Sequence, residues 1–207
     1  MIINIRGTSG SGKSTVVRKI KDCYFESEPI MVEGRRQPIG YMLSRVWGKR
    51  LFLAGHYETA CGGCDTITSI DQIYELVRQY HNDETDVLFE GLLISAEVNR
   101  TTALHTDGLP LLVVGMSTPL DVCLSSINTR RQEAFIAKTA IAEARNEGRK
   151  KPRPMPKEKG EVNPRNTESK FKATETTMRR LLEAGVRAEW HDRDSAVQTI
   201  KLELGLT

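Results

Sequence analysis

The chain of 207 residues has no apolar run near the ~20 residues that a membrane-spanning helix needs, so no membrane partner is expected. It enters an apolar segment at Ile2, so no secretory leader is expected. The four cysteines, Cys23, Cys61, Cys64 and Cys123, are therefore expected as free thiols in a reducing cytoplasm. The pair in Cys61-Gly62-Gly63-Cys64 has no second pair at zinc-site spacing, so a closed four-ligand site would have to recruit His56 and a further group. The surroundings also lack the strand–helix junction of a thioredoxin-like redox pair. Two small residues in a tight loop is the reading favoured here. No internal repeat is visible, which excludes a solenoid or propeller. Net charge is only +3. It is unevenly spread, with ten Lys/Arg against four Glu between Arg145 and Lys172, a net of +6 that leaves −3 for the remainder. Such asymmetry suits a polyanionic partner or a solvated basic loop.

What the chain does have is Gly7-Thr8-Ser9-Gly10-Ser11-Gly12-Lys13-Ser14, followed by Thr15. This G-x-x-x-x-G-K-S spacing lies between an apolar strand, Ile2–Ile5, and a helix-compatible run, Thr15–Ile20. That context is what the phosphate-binding loop requires. Its glycines let backbone N–H groups converge on an anion, and the helix N-terminus adds its dipole. Lys13 is expected to reach the β- and γ-phosphates, and the Ser14 hydroxyl to ligate Mg²⁺. ATP and Mg²⁺ are the implied co-substrate and metal.

The rest alternates strands and helices, which implies a parallel sheet covered on both faces. Ile30-Met31-Val32 reads as a second, buried strand after a break at Glu28-Pro29. Ile39–Leu43 and Arg50–Leu53 read as an inserted antiparallel hairpin. Residues 55–66 form a polar, glycine-bearing loop. Ser69 with Gln72 predicts a capped helix over 70–80. Strands are expected at 86–90 and 111–116, and helices from Ser95 and from Pro119, the latter reaching Arg130-Arg131 and extending toward Ala144. The Pro- and Lys-rich stretch 148–165 predicts no regular element. A helix capped by Asn166 or Thr167, a strand at 186–190 and a closing helix over 195–204 complete the chain. The fold class expected is α/β: a P-loop NTPase three-layer sandwich with a parallel central sheet, an inserted β-hairpin and a flexible lid. It forms one domain over 1–207, with a substrate region at about 34–66 and a lid or basic loop at about 132–165.

Glu90, at the tip of a central strand, is positioned to orient Mg²⁺. A kinase also needs a carboxylate to accept or align the proton of the acceptor hydroxyl; Asp65 is the first candidate and Glu33 the second. Arg130 and Arg131 lie where a lid would close over the transferring phosphoryl group. His56 and Tyr57 either stack on a base or pack under the hairpin. Arg193, between the last strand and helix, is placed to cover and stack on the adenine ring. Arg35, Arg36, Arg45, Lys49 and Arg50 flank the hairpin and are candidates for holding phosphates.

The phosphate loop, Glu90 and Thr129-Arg130-Arg131 together resemble a small P-loop kinase of the nucleotide and polynucleotide kinase group, in similar order over nearly the whole chain. A narrower resemblance rests on RGTSGSGKST and GHYETACGGCDTI. These stretches are similar to phage-encoded P-loop kinases that phosphorylate 5-hydroxymethyluracil in DNA. That resemblance implies ATP as donor, the hydroxymethyl oxygen of a base as acceptor, and DNA containing a modified pyrimidine as partner in the host cytoplasm. A kinase of a free nucleotide or small metabolite, or a regulatory P-loop NTPase, is the alternative. The chain departs from the nucleoside monophosphate kinase pattern in its hairpin and in lacking an early Asp-Arg pair.

Overall fold

The computed structural model describes residues 1–59, 62–147, 151 and 153–206. The elements in chain order are β1 (Ile2–Arg6), α1 (Lys13–Lys21), β2 (Glu26–Ile30), β3 (Gly40–Ser44), β4 (Arg50–Ala54), α2 (Ile70–Tyr80), β5 (Thr85–Glu90), α3 (Asn99–Thr106), β6 (Leu111–Met116), α4 (Leu120–Asn146), α5 (Pro164–Glu183), β7 (Ala188–His191) and α6 (Arg193–Glu203). Single 3-10 turns lie at Cys64–Thr66 and Ile94–Ala96. No described helix is long and apolar enough to cross a membrane.

One sheet runs in the order β2-β3-β4-β5-β1-β6-β7. β1 sits between β5 and β6 and is parallel to both. Every residue of these three strands is buried, as expected of central strands covered on both faces. Side chains alternate between two cores. Ile2, Val87, Phe89 and Val113 face Ile73, Val77, Met178 and Leu181 of α2 and α5. Ile3, Ile5, Leu88 and Val114 face Val16, Val17, Ile20, Ala196 and Ile200 of α1 and α6. Helix, sheet and helix thus form the three layers that the strand–helix alternation predicts.

The hairpin is present and continuous with the main sheet: β3 pairs antiparallel with β4, and β4 pairs parallel with β5. The second strand differs from expectation. β2 covers 26–30 rather than 30–32, pairs antiparallel with β3, and exposes Glu26, Ser27, Glu28 and Pro29. Met31 and Val32 are exposed beyond its end. An edge strand tolerates charges and a proline, because one side of its backbone faces solvent. Pro29 therefore sits inside the strand instead of breaking the chain.

Strand directions define two rims. β1, β4, β5, β6 and β7 run the same way and end at one rim, where the phosphate loop leaves β1. β2 runs with β4, so the 31–39 connection lies at that same rim. The 45–49 turn between β3 and β4 lies at the opposite one.

Three boundaries also move. α3 starts at Asn99, after the 94–96 turn, in which Ser95 Oγ donates to the Gly91 carbonyl at 2.8 Å. α5 is capped by Asn163, with Pro164 at its first position where a missing N–H costs nothing. α4 continues unbroken through Arg130-Arg131 to Asn146. Ser69 caps α2 as expected, accepting from Gln72 N at 3.3 Å. The described part of the basic stretch before Pro164 has no regular element. It is tied back to α4 by Arg131 Nη1 donating to Gly160 O at 2.8 Å and by Val162 N donating to Asn128 Oδ1 at 2.9 Å.

Candidate active site

β1 ends in Arg6, and the chain turns through Gly7–Gly12 into α1. Gly12 has φ of 98°, and a Cβ there would collide with the Arg193 side chain. Only glycine meets both demands. Arg193 lies against the loop, with Nε donating to Ser11 O at 3.3 Å and Nη2 to Gly10 O at 3.4 Å. Thr118 Oγ1 donates to Ser11 O at 2.7 Å, and Thr8 Oγ1 to Thr167 O at 3.5 Å. The loop is thus braced by the starts of α6, α4 and α5.

Lys13 is buried and its Nζ donates to Gly7 O at 2.8 Å and Thr8 O at 3.2 Å. Burial pushes its pKa down, while Glu90 and Asp65 oppose the shift. Ser14 Oγ donates to Glu90 Oε1 at 2.7 Å. Glu90 is itself buried, and desolvation raises its pKa against the pull of Lys13 and the Ser14 hydroxyl. Each charge is held at a desolvation cost that a polyanion and a cation in the cavity would offset.

These groups open into a cavity of about 950 Å³. Ser9, Gly10, Gly12, Lys13, Ser14, Thr15 and Arg193 line it together with Glu90, Gly62, Asp65 and Leu92. α4 contributes Asp121, Ser125, Thr129 and Glu133, which the four-residue spacing places on one face, together with Arg130. Asp65 Oδ1 accepts from Leu92 N at 2.8 Å, which fixes the carboxylate at the cavity edge.

Of the remaining expected residues, Arg131 does not line the cavity and instead holds Gly160. Neighbouring helix positions point about 100° apart, so one of two adjacent arginines faces in and the other out. Glu33 is exposed on the 31–39 connection, outside the cavity lining. His56 is buried and its Nδ1 is 3.0 Å from Tyr41 Oη; Tyr57 is buried in the core beside Val16 and Leu53. Both pack under the hairpin. Cys61 lies outside the described residues. Cys64 is buried, donates to Ala54 O at 3.7 Å, and has a thiol pKa pushed up by burial. Among the described residues no group of three or more His, Cys, Asp or Glu could hold a metal ion.

The glycines of that loop have a specific task. His56 and Gly63 exchange backbone hydrogen bonds of 3.3 and 2.7 Å, closing the loop. Gly63 has φ of 72°, and a Cβ there would lie 2.5 Å from Glu90 Oε1. Gly63→Ala is therefore expected to destabilise the protein by about 1–3 kcal/mol and to lower phosphoryl transfer by displacing Glu90. Urea unfolding alongside a transfer assay checks both; an unchanged midpoint would refute the packing argument.

Arg6 is fully buried. It donates from Nε to Asn4 Oδ1, from Nη1 to Glu97 O and from Nη2 to Thr101 Oγ1, tying β1 to the start of α3. Its signal in the sequence is a cation closing an apolar strand just before the phosphate loop.

No protein-family model matches the chain. It is 50% identical over 200 residues to the 5-hmdU DNA kinase of Pseudomonas phage PaMx11, spanning 97% of this chain and 95% of that protein. The chain belongs to the phage 5-hmdU DNA kinase family. The 5-hmdU DNA kinase 1 of Salmonella phage ViI is 26% identical over 147 residues, 67% of this chain and 63% of that protein. Among solved structures, deoxyadenosine kinase from M. mycoides, with the products dCMP and a flexible dCDP bound, aligns over 100% of both chains with a TM-score of 0.46 and 15% identity. As a member of this kinase family, the chain is a nucleotide-binding phosphotransferase.

Proposed function

We propose that the protein transfers the γ-phosphoryl group of ATP to the hydroxymethyl oxygen of 5-hydroxymethyluracil in DNA, in the host cytoplasm. The observation that supports this reading is that Asp65 lines the same cavity as Lys13 and the Ser14–Glu90 pair. The acceptor oxygen forms a bond to the γ-phosphorus as the bond to the β–γ bridging oxygen breaks. ADP leaves with that electron pair, and the hydroxyl proton passes to the Asp65 carboxylate. Lys13 turns from the carbonyls of Gly7 and Thr8 to the β- and γ-phosphates. Arg130, on α4, meets the charge that develops on the transferring group.

Ser14 and Glu90 offer the hard oxygen donors that suit Mg²⁺, and they already touch at 2.7 Å. They would hold the ion directly or through water, and it would neutralise phosphate charge. Arg193 lines the cavity against the phosphate loop and would cover the adenine ring of ATP. In a duplex the modified base has to leave the stack before Asp65 can reach its hydroxymethyl group.

The test offers γ-labelled ATP and Mg²⁺ with hydroxymethyluracil-containing DNA, ordinary DNA, free hydroxymethyl-dUMP, or no acceptor. Label on the modified DNA alone is expected. Label on the free nucleotide but not on the DNA overturns the acceptor, and phosphate release without any acceptor overturns transfer itself.

A further inference from the structure

The five basic residues around the hairpin are not equivalent. Arg45, Lys49 and Arg50 lie at the rim opposite the phosphate loop. Arg45 is occupied there, donating to Leu204 O and Gly205 O at 2.9 and 2.6 Å, and Lys49 is 4.0 Å from Asp86. From Arg50 to Ala54, β4 spans roughly 13 Å at the usual strand rise, so none of the three is at the active rim.

Arg35 and Arg36 lie on the 31–39 connection, at the active rim. Arg35 Nη2 donates to Thr66 O at 3.0 Å, one residue beyond Asp65. Asp65 in turn accepts from Leu92 N, beside the exposed Leu93. The connection is thereby fastened to the turn that carries Asp65. Arg36 is exposed and makes no hydrogen bond or ion pair among the described residues. Arg35, Arg36 and Gln37 line a shallow depression of about 330 Å³, large enough for a phosphodiester.

We propose that the Arg35–Arg36 connection docks a backbone phosphate of the acceptor DNA strand next to the modified nucleotide. This rests on DNA being the acceptor. Arg36 supplies the charge, and Arg35 keeps the connection on the 64–66 turn, so a phosphate held here sets the distance of the neighbouring nucleotide from Asp65. Positioning of this kind carries no base information; it fixes register on the strand.

The experiment measures transfer from ATP to a hydroxymethyluracil oligonucleotide as salt is varied, for the full chain and for Arg36→Gln, Arg36→Lys and Arg50→Gln. Arg36→Gln is expected to raise the KM for the oligonucleotide five- to tenfold, with kcat and the KM for ATP unchanged. The slope of log KM against log salt should fall by about 0.7, the loss of one single-strand phosphate contact. Arg36→Lys should recover most of the affinity, and Arg50→Gln should match the wild type. A wild type that labels the oligonucleotide while Arg36→Gln keeps its KM and salt slope overturns the phosphate site alone. A wild type that leaves the oligonucleotide unlabelled overturns the DNA acceptor with it.

Discussion

Lys13→Ala is expected to lower phosphoryl transfer at least about a thousandfold, whichever acceptor is offered. The ammonium is buried beside the loop and within the influence of Glu90 and Asp65. In the free protein it bonds two carbonyls of its own loop, Gly7 O and Thr8 O. Among the described residues no other lysine lines the cavity, and of the arginines there Arg193 is engaged with the loop carbonyls and Arg18 with Tyr57 O and Thr59 O. Removing the amine thus takes away an ammonium buried at the phosphate loop, where exclusion of water makes a charge count for most. Stability should change little. Two hydrogen bonds are lost, but so is a charge that burial disfavours. Labelled-ATP transfer measured alongside urea unfolding separates the two effects. A loss of less than tenfold would remove Lys13 from the phosphate site.

Asp65→Asn is expected to lower kcat by about 10²–10⁴, the usual range for a lost general base, and to leave the KM for ATP unchanged. The substitution is clean because the contact that positions Asp65 uses Oδ1 as an acceptor from Leu92 N. An asparagine carbonyl oxygen accepts equally well, so geometry is kept while the capacity to take a proton is lost. Glu33→Gln serves as the control. Glu33 is exposed on the 31–39 connection and outside the cavity lining, so its turnover should equal the wild type. Steady-state kinetics on a hydroxymethyluracil oligonucleotide distinguishes the two carboxylates. Retention of more than a tenth of wild-type kcat by Asp65→Asn would place the base elsewhere.

Much of the fold is legible from short-range pattern. The Gly7–Ser14 spacing, the apolar runs of β1, β5 and β6, and the Ser69–Gln72 cap each depend on residues within a few positions of one another. β2 escapes a criterion of apolarity. Ile30-Met31-Val32 looks buried, whereas the strand is the polar segment before it, stabilised by pairing to β3 rather than by burial. The cap at Asn163 is hidden in the pattern, because the basic stretch before α5 reads as loop up to Arg165 while Pro164 already belongs to the first turn.

The candidate site divides along the same line. Local spacing and residue type specify the chemistry available: a phosphate loop with Lys13 and Ser14, an acid at the tip of a central strand, an acid in a glycine loop, and arginines before a basic stretch. Which of them meet is set by the packing of the folded chain. Helical twist turns Arg130 into the cavity and Arg131 toward Gly160. Strand direction puts Arg35 and Arg36 at the active rim and Arg45, Lys49 and Arg50 at the far one. Close packing sets Gly63 against Glu90, 27 positions along the chain, and joins Arg6 to Glu97 and Thr101. Each of these outcomes depends on pairing between strands and helices distant in sequence, which no local spacing encodes.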